Sequence, residues 1–171
     1  VGLSVPQGGG KSLIAVLQFL LSGQRTAILT HTKPLQEQYN RLFAQDTGLT
    51  DIRGQSNYPC VIQPTVMVNE GVCHWGTPCS LKVNGCLYYD QERAVLRSPF
   101  VVTNYAKWLA SYGYEQGLGE FDQLICDEGD MVLDALSNHL AATVREAQVK
   151  KHLQCDLPTE GTSVEEIIAW A

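Results

Sequence analysis

The sequence predicts an α/β fold: a parallel sheet whose strands are joined by helical crossovers. Three observations predict it. Short apolar runs alternate with segments of helical period through residue 50 and again after residue 88. Three consecutive glycines, Gly8-Gly9-Gly10, stand between the first apolar run and the first helical segment. A later apolar run, Leu124-Ile125-Cys126, ends in two adjacent carboxylates, Asp127 and Glu128.

In chain order, Val1 to Val5 reads as a short strand closed by Pro6. Leu13, Ile14, Val16, Leu17, Leu20 and Leu21 then fall on one helix face, and Gly23 stops the helix. Ala27-Ile28-Leu29 reads as a short buried strand. Thr32 and Pro34 start a second helix with the apolar stripe Leu35, Tyr39, Leu42 and Phe43. Residues 51–87 interrupt the rhythm, since they are rich in proline, glycine and cysteine and carry no helical period. Regularity returns with a helix around Tyr88 to Leu96, a strand at Phe100-Val101-Val102 and another from Gln123 to Cys126. Met131 to Leu140 reads as a helix that is apolar through Val132, Leu136 and Leu140. A last helix is expected from Ser163, where Ser163 and Glu166 have the spacing of a capping box. No internal repeat or low-complexity tract is present.

The chain has 171 residues and a mass of 18.8 kDa, the size of one domain with at most an appendage. A chain of this size buries about 70% of its unfolded surface, so a core needs no covalent staples. With 44% hydrophobic and 18% charged residues, a disordered chain is excluded. No apolar run reaches the roughly 18 residues of a membrane span, and the longest, Leu13 to Leu21, is interrupted by Gln18. The chain opens at Val1 without a charged-then-apolar leader and is expected to be a trimmed piece of a longer polypeptide. The net charge of -6 is unevenly spread. Residues 1–108 hold nine Lys/Arg against six Asp/Glu, and residues 109–171 hold three against twelve. A mildly basic front suits local anion binding, and an acidic tail suits a solvated face.

The stretch Val5-Pro6-Gln7-Gly8-Gly9-Gly10-Lys11-Ser12 has the composition of a phosphate-binding loop. Glycines let backbone N–H groups wrap an anion without Cβ clashes, and the following helix N-terminus adds positive potential. Lys11 can reach the outer phosphates of ATP, and Ser12 can ligate Mg²⁺. The strict pattern has glycine where Val5 stands, so the stretch fits the looser helicase form. Asp127 follows Lys11 by 116 residues. At the end of an apolar strand it can hold Mg²⁺ through water, while Glu128 can orient and deprotonate the attacking water.

Six cysteines are present. Cys126, within the acidic strand, is expected to be a buried structural thiol, and Cys155 stands alone. Cys60, Cys73, Cys79 and Cys86 cluster in the irregular segment with 12, 5 and 6 residues between them. Disulfides suit an oxidising compartment and not an intracellular nucleotide machine. Structural zinc favours tight Cys-x-x-Cys pairs, which are lacking. An iron–sulfur cluster takes four thiolates at more varied spacing. Spacing alone leaves zinc, cluster and free thiols open.

Taken together, these motifs resemble the XPD/DinG-like group of superfamily 2 iron–sulfur DNA helicases. Gly54-Gln55-Ser56-Asn57-Tyr58-Pro59-Cys60 is similar to the approach to that family's first cluster cysteine. Cys86-Leu87-Tyr88-Tyr89 and Val101-Val102-Thr103-Asn104-Tyr105 resemble its last cysteine and its Asn-Tyr motif. Leu29-Thr30-His31-Thr32-Lys33-Pro34-Leu35-Gln36-Glu37-Gln38 resembles its motif Ia. The resemblance covers Val1 to about Leu140. It implies a RecA-like P-loop NTPase sheet with a cysteine-rich iron–sulfur cluster insertion, ATP hydrolysis with Mg²⁺, and 5′-to-3′ unwinding of DNA. By position, Gly8, Gly9, Gly10, Lys11 and Ser12 would bind ATP, with Lys11 and Glu128 catalytic. Ser12 and Asp127 would hold Mg²⁺. Cys60, Cys73, Cys79 and Cys86 would hold a four-iron four-sulfur cluster. Thr30, Thr32, Asn104 and Tyr105 lie where the family grips single-stranded DNA, and the resemblance implies that the cluster domain acts as a wedge or strand guide near the duplex junction.

The resemblance divides the chain into motor residues 1–50, a cluster insertion over 51–87, further motor residues 88–150, and the possible start of an arch insertion over 151–171. It implies the remaining helicase domains as partners, no membrane, and a cytoplasmic or nucleoid location in a prokaryote or virus, or a nuclear one in a eukaryote. The sequence departs from the family where Asp127-Glu128-Gly129-Asp130 replaces Asp-Glu-Ala-His, so Asp130 stands at the place of a histidine that couples ATP to DNA. Motifs III to VI, with the second motor domain and its arginine finger, are not in the sequence, so a helicase fragment inactive by itself is expected. Two other readings remain: a P-loop ATPase that remodels RNA or protein around a structural zinc, and a nucleotide- or DNA-binding fragment without turnover.

Overall fold

A computed structural model describes residues 2–6, 8–114 and 117–141, together with Ser163, Glu165 and Glu166. The chain divides into two compact units, Val1–His139 and Leu140–Ala171. In chain order the first unit holds α1 (Lys11–Ser22), β1 (Thr26–Thr30), α2 (Lys33–Thr47), β2 (Thr50–Ile52), α3 (Leu87–Arg97), β3 (Phe100–Asn104), α4 (Tyr105–Tyr114), β4 (Gln123–Cys126) and α5, which runs on to Leu140 (Val132–Leu140). The four strands form one all-parallel sheet in the order β2-β3-β1-β4. The α/β class and its crossovers are therefore as the sequence predicts.

Local chemistry explains the element ends. Gly23 and Gly48 close α1 and α2 at φ 65° and 69°, a left-handed backbone that glycine adopts without strain. Thr32 caps α2 by accepting from Leu35 N, with Pro34 in the first turn. Strands β1 and β3 are buried along their whole length, as strands covered on both faces must be. One face packs Ile28, Phe100 and Val102 against Ala15, Val16 and Tyr39, with the Phe19 and Phe100 rings stacked at 4.0 Å. On the other face, Val101 packs with Tyr88 and Val95 of α3, and Ala27 and Leu29 pack with Tyr105. Arg25 joins the start of β1 to α3 and to residues 118–120. Its guanidinium donates to the carbonyls of Ser98, Val95 and Leu118, each at 3.1 Å, and of Glu120.

Several expectations need correction. Gly2 to Pro6 is irregular and not a strand, so the glycine loop does not follow a strand of this sheet. Both edges of β1 are already taken by β3 and β4, which leaves no place for it there. On α1 only Val16 of the six expected core residues is buried, together with Ala15; Leu21 is 84% exposed. Cys126 is exposed, because β4 lies at the sheet's edge and turns alternate side chains, Leu124 and Cys126, outward. Leu136 and Leu140 are also exposed, and α5 packs instead through Val132 and Ala135. β2 and α4 are additions to the sequence reading. Residues 55–82 hold four short 3₁₀ turns and no α-helix, in keeping with the absence of helical period.

In the second unit, Ser163 N donates to Glu166 Oε2 at 2.8 Å and Glu166 N donates to Ser163 Oγ at 3.2 Å, the reciprocal pair of a capping box. These bonds to Ser163 hold the Glu166 carboxyl below its ordinary range. Cys155 and the rest of the expected last helix and arch segment lie outside the described residues. Among the described residues, no helix is long and apolar enough to cross a membrane.

Candidate nucleotide site and cysteine cavity

Parallel register brings the carboxyl ends of the strands to one level. Thr30 pairs with Asn104, and Leu29 with Cys126. The ladder runs one residue further, since Asp127 N donates to Leu29 O at 2.9 Å. The segments leaving β1, β3 and β4 thus start together, at the sheet edge where open α/β folds bind ligands.

The glycine loop enters from α1. Gly8 and Gly10 have φ of 80° and 78°, and a Cβ on Gly9 would meet Val5 Cγ1 at 2.4 Å. Each of the three glycines is therefore required by the loop's shape. No side chain caps α1, and its first turn contains no acid. The first-turn N–H groups at Lys11 and Ser12 are thereby left with the positive end of the helix dipole, a setting that favours an anion. The Lys11 side chain is exposed.

Asp127 is the hub. Its Oδ2 accepts from the Tyr39 hydroxyl at 2.8 Å, its Oδ1 from Glu128 N at 3.0 Å, and its backbone carbonyl from the Tyr105 hydroxyl at 2.9 Å. Ser12 lies beside the Tyr39 phenol. Ser12, just after the glycine loop, and Asp127, just after β4, therefore both lie by one buried hydroxyl, which is bonded to Asp127. Burial raises the Tyr39 phenol well above its ordinary range; Ser12 opposes this and Asp127 adds to it. Tyr105 is raised first by burial and then by Cys126, Asp127 and Glu128.

Glu128 is exposed, with φ 56° and ψ 51°, and is the one non-glycine residue with positive φ among the described residues. Such a conformation costs on the order of 1–3 kcal/mol and persists only where the surrounding structure holds it. Met131 N donates to Glu128 O at 2.9 Å and closes the turn.

The four residues expected to face DNA divide sharply. Thr30 is buried and donates to the carbonyls of Thr32 and Thr103. Asn104 is buried, accepts from Lys107 N at 2.9 Å and donates to Gln36 Oε1. Tyr105 is buried against Ala27 and Leu29. Thr32 is exposed.

Cys60, Cys73, Cys79 and Cys86 all line one apolar cavity, with Val68, Val72 and Leu81 among its walls. A short antiparallel bridge, Pro59 to Met67, presents Cys60, and Cys86 sits at the N-cap of α3. A Cβ on Gly71 would meet Cys60 Sγ at 3.0 Å, so glycine lets the backbone pass close to the sulfur. Tyr89 lies beside Cys73, and its phenol is pushed up to about 12, by burial first and then by that thiol. The thiols share the walls of a cavity. Among the described residues, no group of three or more His, Cys, Asp or Glu is drawn around the position of a single metal ion.

Two polar contacts near the site escape the sequence reading. Tyr39 reads as one more member of an apolar stripe. Gln36, one turn earlier on the same face, is fully buried and donates to Ile52 O at 2.8 Å. A glutamine on a buried helix face is the one signal that this face does polar work. Compared with protein-family models, with curated proteins and with solved structures, the chain matches none.

Proposed function

We propose that this chain carries the nucleotide-binding half of an ATP-dependent DNA helicase motor, built on a RecA-like sheet with an iron–sulfur insertion. One observation carries the ATP reading: the buried Tyr39 hydroxyl, which donates to Asp127 Oδ2 at 2.8 Å, also has Ser12 beside it, 115 residues before Asp127 in sequence. Serine and aspartate are the two residue types that hold magnesium beside a phosphate loop, and here they lie together at the carboxyl ends of parallel strands. Lys11 then neutralises the outer phosphates, and Glu128, exposed and turned out of the strand, serves the attacking water. Magnesium supplies charge neutralisation at the transferring phosphate when bound.

The donor set of the insertion fits a cluster. Four thiols face a common apolar cavity in a segment built of short 3₁₀ turns, where bound metal would add to a small core. DNA is assigned to the same sheet edge, where Thr32 is the one member of the four candidate residues at the surface.

ATP hydrolysis with and without single-stranded DNA, by this chain and by a longer chain containing it, tests the reading. Stimulation by DNA supports it. Stimulation by RNA alone points to an RNA-remodelling ATPase, and nucleotide binding without turnover in either chain points to a binding module.

A further inference from the structure

We propose that Tyr39 is a positioning residue for the divalent cation of this site. In this inference, which rests on the nucleotide-site reading above, its buried hydroxyl fixes the Asp127 carboxylate before nucleotide arrives. The Tyr39 ring has no solvent exposure and is wedged among Val16, Ile28 and Val102, so its oxygen has one available position. A phenol has a single proton, and here it is donated to Asp127 Oδ2 at 2.8 Å. Ser12 lies beside this phenol.

The other carboxylate oxygen, Oδ1, is held by Glu128 N at 3.0 Å. Asp127 is thus fixed at both oxygens, and each retains a lone pair for a water of a hydrated cation. Magnesium demands near-ideal octahedral geometry, so a carboxylate free to rotate serves it poorly. Removing a hydrogen-bonding partner behind a metal ligand typically costs 10- to 100-fold in metal affinity.

The test is Tyr39→Phe, which keeps the buried ring and removes the hydroxyl. ATP binding is measured by calorimetry across a magnesium series and in EDTA. The magnesium concentration giving half the maximal gain in ATP affinity should rise about 10-fold or more, while affinity in EDTA stays at the wild-type value. An unchanged magnesium dependence would overturn the proposal. So would an equal loss with and without magnesium, which marks a purely structural role. Absence of ATP binding by the wild-type chain under both conditions would overturn the site reading and this proposal with it. If Tyr39→Phe fails to fold, the unsubstituted protein labelled with ¹³C at the tyrosine Cζ decides. The Tyr39 resonance should move on adding magnesium with ATP and not on adding ATP in EDTA, and a resonance indifferent to magnesium would contradict the role.

Discussion

The hydroxyl of Tyr39, in the middle of α2, donates to Oδ2 of Asp127 at 2.8 Å across 88 residues of sequence. This bond crosses from the helix after the first strand to the turn after the last strand. It makes the acidic turn part of the same packed layer as α1 and α2.

Glu128 is expected to serve turnover more than binding. Glu128→Gln keeps the shape of the side chain and removes the base, so ATP and DNA should still bind while hydrolysis in a longer active chain falls about 100-fold or more. Glu128→Gly should abolish hydrolysis too, yet raise the melting temperature, because glycine takes a φ of 56° without strain. Parallel losses of nucleotide affinity and rate in Glu128→Gln would assign the residue to structure instead.

Serine at Cys60, Cys73, Cys79 or Cys86 should remove iron and loosen residues 55–90, because these thiols line the cavity that the insertion is built around. The sheet should persist, since β1 and β3 are buried by helices on both faces. Cys126→Ser and Cys155→Ser should leave iron content unchanged. Iron, sulfide and zinc are counted per chain after anaerobic purification; stoichiometric zinc without iron would replace the cluster with a zinc site.

Alkaline pH should unfold the protein through its buried tyrosines. The Tyr39 and Tyr105 phenols titrate above the 10.0 of an exposed tyrosine, chiefly because burial disfavours the phenolate. Their contribution is fully present below pH 10.0 and is lost as pH rises through the elevated folded values, because the unfolded chain gives up its protons first. Urea unfolding from about pH 8 to about pH 11 should show falling stability in the upper part of that range. Tyr39→Phe should show a shallower fall, and identical slopes would show that Tyr39 does not take part.

Arg25 is expected to be the main polar tie holding β1, α3 and residues 118–120 together. Arg25→Ala strips the guanidinium from four backbone carbonyls and from the Phe121 ring 3.9 Å away. The cost should be about 2 kcal/mol or more. Lysine, a single point donor, should restore less than half of it. Denaturant melts of both variants check this, and wild-type stability in Arg25→Ala would contradict it.

The parts of this fold that sequence anticipates are those set by local chemistry. Gly23 ends α1, Thr32 caps α2, the Ser163–Glu166 box closes reciprocally, and the run Gln123–Cys126 is a strand at the bounds its pattern implies. What it misjudges depends on neighbours. The apolar period of α1 is real, but the sheet meets it only near Ala15, Val16 and Phe19. Cys126 has the apolar company of a buried strand, yet strand order puts it on an edge. Tyr39 and Gln36 carry polar contacts that appear only when α2 lies on the sheet, since their partners are 88 and 16 residues distant. The four cysteines are recognisable as a group in sequence, whereas their shared cavity is a property of the folded insertion.

The most direct measurement is calorimetric titration of ATP into the wild-type chain and into Lys11→Ala, both with saturating magnesium. Lys11 is the lysine of the glycine loop, and loss of a desolvated charge contact to phosphate costs on the order of 2–5 kcal/mol. The wild-type chain should bind ATP, and a folded Lys11→Ala variant should bind at least about 30-fold more weakly. Equal affinity in the two proteins would contradict a phosphate site at Gly8-Gly9-Gly10-Lys11-Ser12 and, with it, the motor reading of this chain.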